Sequence, residues 1–277
     1  LYGGESLPSP TSRSREDMAR HAVAWLEEDS DSGSLTSTLK LADILSGADD
    51  QVSDLIAVDV AAAEKRYALA ADAGSGIAVV KLALLLRDKI STPEARERAS
   101  GLLRKAADSG SGEALLELGK GYRDGLYGNP DPVEAVTFYR RAAEGGLTGG
   151  MVLLGKAYMA GEGVAADPKV GLDWVRRAAD GGNGAAKVEL GVLHHKGIMV
   201  PQDDKLAFDW FLAGAKIGNG SGMAAVSRAM ARGVGVERNE TESLFWAIRA
   251  VDAGVRAPDL LSRVGRAYAT GEKIPQN

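Results

Sequence analysis

The sequence has no cysteine and only three histidines among its 277 residues. Without thiols, the chain has no disulfide bridge, no thiolate nucleophile and no zinc site built on cysteine. Three histidines also provide few candidates for a metal site or a general base. Aromatic residues make up 5% of the chain, and proline occurs only nine times. These shortages leave few of the side chains from which catalytic centres are usually built.

The chain also lacks an excess of positive charge and a long apolar run. Lysine and arginine number 33 against 38 aspartates and glutamates, so the net charge is −5 and the isoelectric point about 5.4. Proteins that bind nucleic acids usually carry a basic domain or patch, so we predict no nucleic-acid partner. No run of residues is long and apolar enough to cross a membrane, so we expect no transmembrane segment in this chain.

Glycine, by contrast, is abundant. It occupies 35 of the 277 positions, about 13%, whereas about 7% is typical. Six of these glycines end a short signature in which two small residues, mostly alanines, precede two variable positions and the glycine. The signature glycines follow one another at intervals of 36 residues: Gly74, Gly110, Gly146, Gly182, Gly218 and Gly254. Equal intervals of this length indicate a repeat protein in which each repeat is one supersecondary unit.

Two segments with helical periodicity lie within each repeat. The first is clearest at residues 113–124, 149–160 and 185–196, and the second at residues 132–143, 168–179, 204–215 and 240–251. Each second segment follows a residue that can cap a helix by accepting a first-turn N–H group: Asp131, Asp167, Asp203 or Asn239. We therefore predict helix pairs that recur every 36 residues from about residue 76 to residue 252, with negligible β-strand.

The repeated residues resemble those of the Sel1-like repeat family, which is tetratricopeptide-like and common in bacterial cell envelopes. The motif reads Leu-Gly-x-x-Tyr-x-x-Gly, then the capping residue, then an aromatic residue with Ala-Ala-x-x-Gly, and it is most complete in residues 112–254. This resemblance implies an all-α fold, a right-handed α-solenoid of stacked helix-turn-helix repeats. We expect about six repeats and a truncated last one.

Three regions follow from the pattern. Residues 1–13 are polar and contain two prolines, so we expect a disordered N-terminal segment. Residues 14–37 would form a capping helix and a linker, and residues 38–277 the repeat solenoid. Within the solenoid, the connection between the two helices of residues 39–74 is expected to be longer than in later repeats. Thr92 and Pro93 are expected to start a second helix early.

Few residues suggest chemistry. The acidic stretch Asp29-x-Asp31-x-Gly33 lacks the glycine and glutamate spacing of an EF-hand loop, which favours a solvated linker. His194 and His195 are adjacent, so on a helix their side chains diverge and do not share a metal ion. We predict no catalytic residues, no cofactor and no metal, and hence a protein that is not an enzyme.

One column of aromatic residues recurs every 36 residues: Phe138, Trp174, Trp210 and Trp246. These side chains would fill the space between helix pairs, and we predict that the three tryptophans are largely buried. The alternative is a ladder that stacks on sugars, which would make the chain a module that binds exopolysaccharide or peptidoglycan. Exposure of the tryptophans distinguishes the two interpretations.

A basic column lies in the first helices, two residues after a buried apolar position. Its members are Lys120, Lys156, Arg228 and Arg266, with Val192 as the exception, and Arg123 and Arg232 lie nearby. We call these six basic residues the basic ladder. In solenoids of helix pairs the first helices usually line the concave surface, so the ladder would attract an acidic peptide, loop or domain of another protein. The alternative is an ordinary solvated face.

The resemblance implies a non-catalytic adaptor or scaffold for protein–protein interaction. Similar proteins act in exopolysaccharide secretion, in its regulation, or in cell-polarity and signalling complexes of the bacterial cell envelope. We therefore expect a periplasmic protein, with the cytoplasm as the alternative compartment.

Overall fold

The computed structural model describes residues 15–49, 51–52 and 54–270. The segment 1–13, predicted to be disordered, and the end of the predicted solenoid after residue 270 lie outside the described residues. The described part contains fourteen α-helices and one π-helical segment, and no strand. It divides into two compact units at Pro130 and Asp131. Each unit is described separately.

The first unit is a chain of helices in which each packs on the next. In order these are α1 (Arg15–Asp31), α2 (Leu35–Ser46), α3 (Val60–Asp72), α4 (Gly76–Leu85), the π-helical segment (Leu86–Ile90), α5 (Pro93–Asp108) and α6 (Gly112–Arg123). The predicted capping helix in residues 14–37 corresponds to α1. The long connection is also present, since thirteen residues from Gly47 to Asp59 join α2 to α3. Thr92 caps α5, as the sequence indicates.

The second unit is more regular, because every one of its helices has thirteen residues. They are α7 (Pro132–Glu144), α8 (Thr148–Ala160), α9 (Pro168–Asp180), α10 (Gly184–Lys196), α11 (Asp204–Lys216), α12 (Gly220–Arg232), α13 (Glu240–Asp252) and α14 (Pro258–Thr270). Consecutive helices pack on each other throughout the unit. The even-numbered helices are the first helices of the repeats, and the odd-numbered ones are the second helices.

The capping and turn columns have the roles that the sequence predicts. Each side chain of the cap column accepts a hydrogen bond of 2.9–3.0 Å from the backbone N–H three residues later. The six signature glycines all have left-handed backbone angles, with φ between 85° and 92°. Local chemistry therefore starts and stops the helices every 36 residues. The predicted fold class, an all-α solenoid of helix-turn-helix repeats, is confirmed.

Small residues bring the paired helices of the second unit close together. A Cβ added to Gly171 of α9 would lie 2.6 Å from the carbonyl oxygen of Gly155 on α8. Next to this contact, Leu154 is completely buried, and Leu190 has the same position one repeat later. On α8, Lys156 of the basic ladder follows Gly155 directly and is exposed.

Candidate functional site

The basic ladder lies on first helices in both units. Lys120 and Arg123 belong to α6 in the first unit, and Lys156, Arg228, Arg232 and Arg266 belong to α8, α12 and α14 in the second. All except Lys120, Arg123 and Arg228, which are half-buried, are exposed. Val192, the exception in the column, packs against a neighbouring cluster of buried apolar residues. The ladder is therefore accessible to a partner in each unit.

Most of these cations form ion pairs, and in the second unit the acids come from the neighbouring first helix. In the second unit, Lys156 lies 3.1 Å from Glu189 of α10. Arg228 makes two hydrogen bonds, of 2.7 and 2.9 Å, to the carboxylate of Asp259 on α14. Arg232, exposed at the end of α12, makes no ion pair within the described residues. The ladder is therefore a face of mixed charge with one arginine available.

The first unit has a more buried version of the same arrangement. Glu117 of α6 accepts hydrogen bonds from Lys120 at 2.7 Å and from Arg87 of the π-helical segment at 3.0 Å. Burial raises the pKa of the Glu117 carboxyl, but Lys120 and Arg87 together hold this pKa below its ordinary value. Glu117 is therefore ionised at neutral pH and offsets the charge of Lys120.

In the second unit, an exposed ion pair also lowers the pKa of an acidic side chain. The hydrogen bonds from Arg228 lower the pKa of Asp259 to about 2. This acid lies in the first turn of α14, where a negative charge is also favoured by the helix dipole. Asp259 thus stays charged throughout the physiological pH range and remains paired with Arg228.

These acidic partners are not predicted by the sequence pattern. Glu189 follows Lys156 by 33 positions, and Asp259 follows Arg228 by 31 positions. In both pairs the acidic residue follows the basic residue by slightly less than one repeat of 36 residues. This spacing places the acidic residue on the first helix of the next repeat. Because the acids do not form a column of their own, a search for 36-residue spacing does not find them.

The aromatic column is mostly buried, but its tryptophans also reach the surface. Phe138 is buried, with 3% of its surface exposed, but Trp174, Trp210 and Trp246 are only partly buried. A cation covers each tryptophan ring: Arg177 lies 4.9 Å from the centroid of Trp174, Lys187 5.6 Å from Trp210 and Arg249 5.7 Å from Trp246. The prediction of largely buried tryptophans is therefore confirmed, but each side chain keeps a partly exposed edge. The indole reaches the repeat surface, where it forms a cation–π contact.

A second polar cluster lies in the first unit and has no column in the sequence. The buried hydroxyl of Tyr67 donates a hydrogen bond of 2.6 Å to Asp43, and the Lys81 ammonium lies 2.6 Å from both oxygens of the same carboxylate. A cavity of about 310 Å³ opens beside these residues. Because the three groups satisfy one another, the cluster is a stabilising network that joins α2, α3 and α4.

The two adjacent histidines, His194 and His195, have different surroundings. His195 forms a 2.6 Å contact with the carboxylate of Asp204, while Nδ1 of His194 is buried. Among the described residues, no three side chains of His, Cys, Asp or Glu lie close enough together to hold a metal ion. The same residues include no helix of the length and apolar character needed to cross a bilayer.

Solved structures similar to this chain have repeat folds. A protective antigen present in uropathogenic Escherichia coli strains, which displays an SLR fold, matches 90% of the chain at 25% identity with a TM-score of 0.61. The chain spans only 52% of that antigen. A Sel1 repeat protein from Oxalobacter formigenes matches 65% of the chain and 73% of its own length, at 25% identity and a TM-score of 0.57.

An immunity protein from Pseudomonas aeruginosa is also similar in fold. It matches 91% of the chain and 93% of its own length, at 20% identity and a TM-score of 0.56. No curated protein sequence matches the chain.

The sequence profile of the Sel1 repeat matches four successive segments, residues 112–147, 149–183, 184–219 and 220–255. These segments contain the capped second helices, the left-handed glycines and the basic first helices described above. Because they make up just over half of the chain, the protein belongs to the Sel1 repeat family.

Proposed function

We propose that this protein is a non-catalytic adaptor of the bacterial cell envelope, and that it binds an acidic segment of another protein through the basic ladder. Sel1 repeat proteins generally mediate protein–protein interactions, and their solenoids are typically non-catalytic. The proposal adds to this general role the surface that binds, the basic ladder, and the acidic character of the partner segment. Its setting would be exopolysaccharide secretion, the regulation of that process, or a cell-polarity or signalling complex.

The exposed ion pairs of the ladder carry this proposal. The side chain of Lys156 is 52% exposed, and that of Arg228 is 41% exposed. Ion pairs in such positions contribute only about 0–1 kcal/mol each, so an incoming carboxylate can replace Glu189 or Asp259 at little cost. Arg232 makes no ion pair within the described residues, so a partner carboxylate can bind it without displacing an acidic side chain of this protein. An acidic segment would therefore find several cations within reach in the second unit.

Charge reversal tests the role of the ladder. We expect Lys120→Glu combined with Lys156→Glu to weaken binding to the isolated partner and to flatten its salt dependence between about 50 and about 300 mM, because exposed charges are screened over this range. The matched control reverses Lys105 and Arg176, which are exposed on second helices. Both double variants change the net charge by the same amount.

The partner itself would be captured from the envelope fraction of the source cell and then purified. Equal affinity of the ladder variant and the parent protein at both salt concentrations would contradict the proposal, provided that circular dichroism shows unchanged helicity. Equal weakening by the control variant would also contradict it, because net charge rather than the ladder would then explain the effect.

The second candidate function is a carbohydrate-binding module. The partial exposure of Trp174, Trp210 and Trp246 favours it, whereas the cation above each ring leaves less indole surface for stacking on a sugar. Quenching of tryptophan fluorescence by soluble exopolysaccharide or peptidoglycan fragments, abolished by Trp210→Ala, would support this candidate over the adaptor.

The compartment is part of the same proposal. We place the protein in the periplasm, with the cytoplasm as the alternative, because similar repeat proteins are often exported. Fractionation of the source cell, with immunodetection of the chain, tests this assignment directly. Recovery in the cytoplasmic fraction alone would remove the envelope from the proposal but leave protein binding intact.

A further inference from the structure

A small cavity in the second unit lies between the last turns of α10 and α12 and the first half of α11. It has a volume of about 180 Å³. Its apolar wall includes Phe208, Phe211 and Ala229, each less than a tenth exposed. Pockets for drug-sized ligands usually measure about 300–1,000 Å³, so this cavity suits a single apolar side chain.

The polar rim of the cavity has two arginines on one side and a histidine–aspartate pair on the other. On one side, Arg228 and Arg232 lie one turn apart on α12. On the other side, His195 contacts Asp204 at 2.6 Å. Arg228 is already held by Asp259, but Arg232 has no ion-pair partner among the described residues and is exposed. A carboxylate next to the bound apolar group would therefore find its counter-ion on the α12 side.

Comparison with the preceding repeat shows where the lining of the cavity differs. Thirty-six residues earlier, Leu193 occupies the position of Ala229, and it is buried. Met159 occupies the position of His195 and lies against Gly171. Ala229, and His195 turned toward Asp204, thus line the cavity at two positions where the preceding repeat has larger apolar side chains.

We infer that this cavity binds one aliphatic or aromatic side chain of a partner protein segment, with an adjacent aspartate or glutamate of that segment paired to Arg232. The inference rests on the proposed function in that the occupant belongs to another protein. It adds a definite anchor: an apolar residue beside an acidic one, held by α11 and α12. An apolar side chain that fills such a cavity supplies affinity, while the charge at the rim supplies selectivity.

Three labelled nonapeptides test the inference by fluorescence anisotropy. The first has a central leucine flanked by glutamates, the second the same leucine flanked by lysines, and the third an alanine in place of the leucine between glutamates. We expect saturable binding of the first peptide, with affinity about tenfold weaker for the other two because each lacks one part of the anchor. No saturable binding of the first peptide, or equal binding of the second, would overturn the inference.

Two substitutions locate the binding. Ala229→Leu introduces the residue that the preceding repeat already carries, so it should fill the cavity, preserve the helices and abolish binding of the first peptide. Arg232→Glu should reverse the preference toward the peptide with lysines, and this variant keeps the test valid if Ala229→Leu does not fold. Lys196→Glu is the matched control, because Lys196 has the position of Arg232 one repeat earlier. Binding that survives Ala229→Leu or Arg232→Glu would place the peptide elsewhere and refute the inference.

The double variant Lys120→Glu with Lys156→Glu separates this inference from the proposed function. We expect it to change the affinity for the first peptide less than about twofold, since neither residue lines the cavity. If it abolishes peptide binding while Ala229→Leu does not, the ladder binds the peptide and the cavity does not. If Ala229→Leu alone abolishes binding, the cavity is an anchor whatever the ladder does.

Discussion

The two units are built from the same kind of helix, and each offers a different example of how neighbouring helices are joined. In the second unit, small residues allow backbones to touch, as Gly155 and Gly171 do between α8 and α9. In the first unit, polar side chains join the helices, as the buried Tyr67 and the partly exposed Asp43 and Lys81 do. The comparison shows that a repeat fold tolerates both solutions. It also shows that the two units should respond to different substitutions.

The largest expected effect comes from adding one methyl group where backbones touch. Gly171→Ala places a Cβ 2.6 Å from the Gly155 carbonyl oxygen, so the helices must move apart, and we expect a loss of about 1–3 kcal/mol in the free energy of unfolding. Gly101→Ala in α5 is the control, because a Cβ there meets no atom within 4 Å. That substitution should instead stabilise by about 0.5–1 kcal/mol through helix propensity. Urea unfolding of both variants measures the difference, and effects of equal sign would show that the α8–α9 contact is looser than described.

The second prediction concerns the polar contacts of the first unit. Tyr67→Phe removes a buried hydroxyl that donates to Asp43, and we expect a loss of about 1–2 kcal/mol in the free energy of unfolding. Burial, together with the nearby Asp43 carboxylate, also raises the pKa of Tyr67 above its ordinary value, so the hydroxyl is protonated at any pH of interest. The measurement is again urea unfolding near pH 7.

Tyr158→Phe in the second unit is the matched control. Its hydroxyl accepts a 3.0 Å hydrogen bond from Arg140 and is only half-buried, so its loss should cost less than about 0.5 kcal/mol. If both tyrosine variants lose the same stability, the polar network of the first unit is no more important than a surface contact.

These contrasts also show what the sequence alone could predict. Helix ends follow from local chemistry, so the cap at Asp167 and the left-handed turn at Gly182 were predictable from residue type and spacing. Contacts between helices depend on how neighbouring repeats pack, and one sequence column cannot reveal this. The pairing of Arg228 with Asp259 and the cation over Trp174 belong to this second class. The sequence could thus assign the basic ladder to the first helices, but it could not reveal that ion pairs partly neutralise the ladder.

The third prediction exploits a break in a glycine column of the second unit. Gly163 and Gly235 have φ of 71° and 69°, and between them, 36 residues from each, Met199 has φ of 63°. A left-handed conformation costs a residue with a side chain about 1–3 kcal/mol, whereas glycine adopts it freely. We expect Met199→Gly to stabilise the protein by about 1 kcal/mol after the greater chain entropy of unfolded glycine is subtracted. Ile198→Gly, next to it without positive φ, should destabilise, and a gain from both variants would mean that loop flexibility rather than backbone strain explains the effect.

The smallest expected effect is a pH dependence of the second unit, at the ion pair of Arg228 and Asp259. Arg228 lowers the pKa of Asp259 to about 2, from an ordinary value of 3.8. A lowered pKa in the folded state means that the pair stabilises the protein above about pH 4, and that this contribution is lost as the pH falls from about 4 toward 2. Because the two side chains are 41% and 50% exposed, the contribution should stay below about 1 kcal/mol. Asp259→Asn should therefore lower the melting temperature slightly at pH 6 and have a smaller effect at about pH 2, where about half of the parent's Asp259 is already protonated. In an Arg228→Gln background the same substitution should have little effect at either pH. A pH-dependent effect that persists in that background would assign the stabilisation to the helix dipole of α14 rather than to the pair between first helices.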